Sequence, residues 1–238
     1  MNPAPSGSRL RVFYGGTFDP VHNGHVAIAL AARDTLDAQV SLLPARDPPH
    51  KGATRADAVQ RAEMLELAIA DEAGLAVDRR EFLREGPSYT VDTLAELRGE
   101  LGDDAPIVWL IGGDSLYQLH TWHRWRLLFE RAHILVVERP GAGIDIDALR
   151  SVAPEVAVEV ARRLQPATAL VETPSGGIAV LPLPELRQES STELRRRIHE
   201  GAPWQEWVAP AVAAYIVRHS LYRDPPVILA PPPSSPRP

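Results

Sequence analysis

Within YGGTFDPVHNGH, Tyr14 to His25, two glycines precede two histidines, His22 and His25, that stand three residues apart. Histidine can bind a metal, exchange a proton near neutrality or donate to an anion, and its neighbours decide which. A zinc site needs at least a third ligand, and the chain has neither a cysteine nor an HExxH pattern. Anion binding is better supported. The stretch follows an apolar run and opens a helical pattern, and a helix start offers free N–H groups and the positive end of a dipole. His22 falls just before that helix and His25 in its first turn, on one side. Gly15 and Gly16 then let a phosphate approach the end of the strand.

Five further stretches carry reactive groups. In SSTELRRR, Ser190 and Glu193 make an N-cap and capping box, and Arg195 shares a helix face with Ser191. Arginines close to a helix start oppose the dipole, which makes sense if an anion sits there; Arg196 and Arg197 read as solvated. In IGGDS, Gly112 and Gly113 allow close backbone approach, and Asp114 can accept from ribose hydroxyls, orient a hydrated Mg²⁺ or cap a helix. PSYTVDTL offers Ser88 or Thr90 as a helix cap, and HTWHRW brings Trp122, His123 and Trp125. The prolines of DPPHK force an extended loop before His50 and Lys51.

These groups need a frame. Apolar, β-branched runs at 10–14, 39–43, 77–82, 107–111, 133–137 and 178–183 read as strands; amphipathic stretches at 24–35, 57–70, 90–101 and 122–131 read as the helices between them. IVWLI and ILVV are almost wholly apolar, as expected of central parallel strands covered on both faces. The alternation predicts an α/β fold, a Rossmann-like doubly wound parallel sheet with helices on both faces. In such sheets ligands bind beyond the carboxyl ends of the strands. Residues 145–164 read as a peripheral helical insertion, and 191–199 and 210–219 as closing helices.

With 238 residues, 45% hydrophobic and 24% charged, the chain suits one α/β domain over about residues 9–222. A short disordered N-terminus (1–8) and a disordered proline-rich tail (223–238) are expected to flank it. The net charge of −6 supplies no global attraction for nucleic acid. No membrane span or signal peptide is legible, and a cytoplasmic location is expected. The absence of cysteine excludes disulfides and thiolate nucleophiles.

GGTFDPVHNGH resembles the opening signature of the HxGH nucleotidyltransferase superfamily. PARDPPHK, PSYTVDTL, IGGDSLYQLHTWHRW and ESSTELRRRI follow in the order found in its nicotinate-nucleotide adenylyltransferase branch, and together they span nearly the whole domain. The resemblance implies transfer of the adenylyl group of ATP to nicotinate mononucleotide, with Mg²⁺ carried mainly by the phosphates and water. It implies ATP contacts at Gly15, Gly16, Thr17, Phe18, His22, His25, Gly112, Asp114, Ser191 and Arg195, of which His22, His25 and Arg195 are catalytic. It implies mononucleotide contacts at Lys51, Tyr89, Thr90, Trp122, His123 and Arg139, with Trp122 stacked on the pyridine ring. No protein metal ligand is expected. Left open are an amide in place of the acid substrate, another HxGH adenylyltransferase such as one acting on phosphopantetheine, and a non-catalytic nucleotide sensor.

Overall fold

A computed structural model describes residues 10–48, 54–138, 144–183 and 188–223. Six strands, β1 (Arg11–Gly16), β2 (Gln39–Pro44), β3 (Leu75–Val77), β4 (Ile107–Gly112), β5 (His133–Glu138) and β6 (Ile178–Pro182), form one parallel sheet. Its order is β3-β2-β1-β4-β5-β6, the doubly wound arrangement in which the crevice opens where the order reverses, between β1 and β4. The main helices are α1 (Asn23–Leu36), α2 (Ala58–Ile69), α3 (Thr90–Leu101), α4 (Gly113–Tyr117), α5 (Leu128–Arg131), α6 (Ile146–Val152), α7 (Pro154–Arg163), α8 (Ser191–Glu200) and α9 (Pro210–Arg218).

Alternate residues of each central strand serve opposite layers, because successive side chains leave a strand on opposite faces. Val108 and Leu110 of β4 pack with Leu135 and Val137 of β5 in a core that includes Met64 and Leu65 of α2, Leu194 of α8 and Val212 of α9. Ile107, Trp109 and Ile111 join Ile134 and Val136 in the other core, with Leu94 and Leu97 of α3 and Val156 and Val160 of α7. Helices therefore cover both faces, as the apolar runs predict.

Three expected elements differ. The third strand occupies 75–77, not 77–82, and residues 80–83 form a 3-10 turn. The Asp78 carboxylate accepts from the backbone N–H and the guanidinium of Arg80 at 2.9 and 2.8 Å. That local bonding competes with continuation of an edge strand. The helix expected at 122–131 is broken: Trp122 is extended, Arg124 adopts φ 50°, and only Leu128–Arg131 is α-helical. Residues 145–164 are two helices parted at Ala153 before Pro154, and they are not peripheral. Leu149, Val156 and Val160 are fully buried in the second core, so this segment is the crossover that covers the sheet between β5 and β6. The expected terminal segments lie almost wholly outside the described residues.

Candidate active site

A cleft of about 800 Å³ opens at the carboxyl ends of β1, β4 and β5. Its wall includes Gly15, Gly16, Thr17, Phe18, His22, His25, Gly112, Asp114, Tyr89, Thr90, Trp122, His123 and Ser191. Segments separated by more than a hundred residues in sequence thus converge, as expected.

The two glycines of β1 are needed by the protein itself. A Cβ on Gly15 would overlap the Trp109 indole, and one on Gly16 would come within 2.8 Å of the Phe18 ring. Their small size makes room for rings that line the same cleft, so access for a phosphate is not their only use. Phe18 adopts φ 50°, and its ring meets that of Tyr14 edge-on at 5.4 Å and that of His25 at 5.0 Å.

His22 is the N-cap of α1, in extended conformation. Its backbone N–H donates to Nδ1 of His25 at 3.3 Å. This makes Nδ1 the acceptor, so the neutral His25 ring carries its proton on Nε2. The two imidazoles stack with centroids 3.7 Å apart. Burial pushes the pKa of His22 down to about 4, so at neutral pH the ring is uncharged. Its Nδ1 is buried without a hydrogen-bond partner among the described residues.

The start of α8 is fastened beside this pair. Ser191 Oγ donates to the Pro20 carbonyl at 3.0 Å, and Arg195 donates to the Asp19 carbonyl at 2.5 Å. Ser190 caps α8 by accepting from the Glu193 N–H at 3.2 Å, but the reciprocal half of the expected capping box is replaced. The Glu193 carboxylate instead takes Arg196 at 2.6 Å and Arg197 at 3.0 Å, and Arg197 also lies over the Trp207 ring at 4.2 Å. Those two arginines are paired rather than simply solvated. Arg195 does not line the main cleft; it lines an adjoining pocket with Arg55, Arg196, His199 and Tyr222, because its bond to the Asp19 carbonyl holds it behind the loop that carries His22.

Residues without an obvious sequence signature brace this loop. The buried Asp19 carboxylate accepts the N–H groups of Arg55 at 2.9 Å and Ala56 at 3.1 Å, and the Tyr222 hydroxyl at 2.9 Å. Arg61, fully buried in α2, donates to the carbonyls of Thr17 at 2.7 Å and Arg46 at 3.3 Å. Burial depresses its pKa, while Asp19 opposes that shift. Arg61 shares a helix face with buried Met64 and Leu65. A charge on an apolar stripe is the signal that could have revealed it. Glu81 also lines the cleft, almost wholly buried, and accepts from Thr93 Oγ1 at 2.6 Å.

The opposite end is made of turns. Neither Ser88 nor Thr90 caps α3; the N-cap is Tyr89, with no side-chain bond. Ser88 Oγ accepts instead from the N–H groups of Arg46 at 3.1 Å and Asp47 at 3.3 Å, tying α3 to the chain after β2. The rings of Tyr89 and His123 stack at 4.4 Å. Trp122 lines the cleft, whereas Trp125 belongs to the core. Gly112, not Asp114, is the N-cap of α4; Asp114 stands in its first turn and faces the cleft. Burial raises the pKa of Glu138, at the end of β5. Lys51 and Arg139 lie outside the described residues. Among the described residues no group of three or more His, Asp or Glu side chains could hold a metal ion, and no helix is long and apolar enough to cross a membrane.

Residues 13–197 match the Cytidylyltransferase-like family model. The chain is 50% identical over 221 residues to a protein of Stenotrophomonas maltophilia named as a probable nicotinate-nucleotide adenylyltransferase, covering 91% of this chain and 98% of that one. A relative of the same name from Laribacter hongkongensis is 46% identical over 212 residues, 89% and 93% of the two chains. The fold is similar to that of the Plasmodium falciparum nicotinic acid mononucleotide adenylyltransferase complexed with NaAD, with a TM-score of 0.67 at 17% identity over 90% of this chain and 97% of the other.

Proposed function

The chain belongs to the nicotinate-nucleotide adenylyltransferases, and from that premise we propose how its cleft carries out the reaction. The enzyme joins the phosphate of nicotinate mononucleotide to the α-phosphorus of ATP, forming nicotinate adenine dinucleotide and releasing pyrophosphate. A cytoplasmic setting goes with this reading, since ATP is the donor.

The attacking phosphate has a second pKa of about 6, so at neutral pH much of it is a dianion and needs no strong base. Catalysis therefore rests on positioning and on stabilising charge at the phosphorus oxygens and leaving group. The observation that carries the assignment is the meeting of two helix starts. The N-terminus of α1, with His22 and His25, and that of α8, with Ser191, are locked through Pro20 around one cleft. Both helices direct the positive ends of their dipoles there.

His25 donates from Nε2 to an oxygen on the α-phosphorus, and the stacked, neutral His22 fixes its ring. Ser191 and the loop from Gly15 to Phe18 contact the triphosphate, and Asp114 accepts from the adenosine ribose. Arg195 holds the leaving group's charge from the adjoining pocket. At the other end Trp122 stacks on the pyridine ring, backed by the Tyr89–His123 pair, while Thr90 bonds its carboxylate. Lys51 and Arg139 are assigned to the mononucleotide phosphate side by the family resemblance alone. Mg²⁺ carried by the phosphates would supply neutralisation of part of their charge.

Incubation with ATP and nicotinate mononucleotide should yield stoichiometric pyrophosphate and dinucleotide. His25→Ala should lower kcat about 100-fold, the usual effect of losing one donor to a transition-state oxyanion, with an unchanged melting temperature. Near-normal turnover in that variant would remove His25 from its role.

A further inference from the structure

The pocket behind the Asp19–Pro20 segment has a volume of about 320 Å³ and is lined by Arg55, Arg195, Arg196, His199 and Tyr222. Among the described residues no acidic or aliphatic side chain lines it, so its chemistry suits a small oxyanion of high charge. Arg196 is held by Glu193 and by Glu200 at 2.5 Å, and so forms a wall rather than a free cation. Arg55 differs. Its backbone N–H is bound to Asp19, but its exposed guanidinium makes no hydrogen bond or ion pair among the described residues. Arg195 stands beside it, with one N–H on the Asp19 carbonyl, another on Thr192 Oγ1 at 3.4 Å and the Asp19 carboxylate at 3.9 Å, and since a guanidinium has five N–H donors, some remain for a ligand.

The pocket's position suggests its occupant. Ser191 lines the main cleft and Arg195 lines this pocket, one helical turn apart on α8. An anion leaving the cleft along this helix passes from the Ser191 hydroxyl to two guanidinium groups, and the one nearby carboxylate behind them, Asp19, is buried and already bonded to the N–H groups of Arg55 and Ala56 and to the Tyr222 hydroxyl. The small, highly charged anion that the reaction releases is inorganic pyrophosphate.

We propose that Arg55 and Arg195 form a holding site for departing pyrophosphate, distinct from the cleft where the phosphoryl oxygens react. The inference rests on the adenylyl-transfer reading for the identity of the anion. It makes Arg55 a binding residue that the family resemblance does not supply. Guanidinium–phosphate contacts are charge-assisted and often bidentate, so the shorter, uncharged glutamine cannot replace one.

The test is calorimetric titration of inorganic pyrophosphate into the wild-type enzyme, Arg55→Gln and Arg55→Lys, with AMP titrated as a probe of the cleft. Arg55→Gln should weaken pyrophosphate binding at least about fivefold, a modest value for an exposed charge-assisted contact. Arg55→Lys should recover part of the loss, and AMP binding should stay within about twofold. Equal pyrophosphate affinity in wild type and Arg55→Gln, or no binding to wild type, would overturn the holding site. A parallel loss of AMP binding would do so too, by showing that the cleft itself had changed. Turnover of the wild-type enzyme is measured separately. If it releases no pyrophosphate from ATP and nicotinate mononucleotide, the reaction assignment falls, while the titration still reports on the pocket.

Discussion

Around His22 the cleft is walled by a buried loop braced from regular elements, whereas around Trp122 it is walled by turns that meet solvent. The first region is fixed from several directions at once: Arg61 holds the Thr17 carbonyl, Asp19 gathers three donors, and Ser191 grips Pro20. The second depends on Ser88 bonds to two backbone N–H groups and on a stacked pair whose outer member, His123, is exposed. The contrast follows the chemistry. In-line transfer tolerates little displacement of the reacting oxygens, while a flat ring held by stacking tolerates some sliding.

If the contrast is right, substitutions should separate folding from substrate affinity. The largest effect is expected from Arg61→Met, which strips the buried Thr17 carbonyl and the part-buried Arg46 carbonyl of their donor. Unsatisfied groups of this kind cost about 1–3 kcal/mol each, so chemical denaturation should show a loss of about 3 kcal/mol or more. A loss below about 1 kcal/mol would mean that the phosphate end is not braced as described.

A similar effect should follow from pH. Unfolded His22 takes up a proton near pH 6.5, whereas the folded ring resists until about pH 4. The unfolded state then binds more protons, so stability is fully present above pH 6.5 and is lost as pH falls toward 4, by about 3 kcal/mol for this ring. His133 adds to the trend, because burial lowers its pKa and its Nδ1 accepts the Gly177 N–H at 2.9 Å. Denaturation curves at several pH values should flatten in His22→Gln, and an unchanged slope would remove His22 as their source.

At the ring end, Trp122→Ala should raise the KM for nicotinate mononucleotide about tenfold, from the typical worth of an aromatic stack, and leave the KM for ATP and the melting temperature nearly unchanged. His123→Ala should have the smallest effect, a rise in the same KM of about threefold, since a backing ring adds only part of a stacking energy. A fall in kcat from either variant would join the two regions that the comparison separates.

The sequence made the His22–His25 end of the cleft legible because its signals are local. A strand, two small residues and a pair of histidines at a helix start lie within twelve residues. The braces were not legible, because Arg61 meets the Thr17 carbonyl across 44 residues, and nothing nearby marks that acceptor. The strand expected at 77–82 failed where Asp78 and Arg80 bind each other, a side-chain bond that a count of apolar residues ignores. The helix expected at 122–131 failed because periodicity does not register the left-handed backbone at Arg124. Arg195 was assigned to the right helix face but, in the structure, lies in the neighbouring pocket, since a backbone carbonyl of another segment captures it.

Tyr222 lies near the end of the described chain, yet its hydroxyl is one of three donors on Asp19, the residue that shapes the turn before His22. Protein engineering thus meets a boundary at that point. A truncation that removes Tyr222 would cut into the support of His22 and His25 from about 200 residues away, while fusions placed after Arg223 would leave it whole.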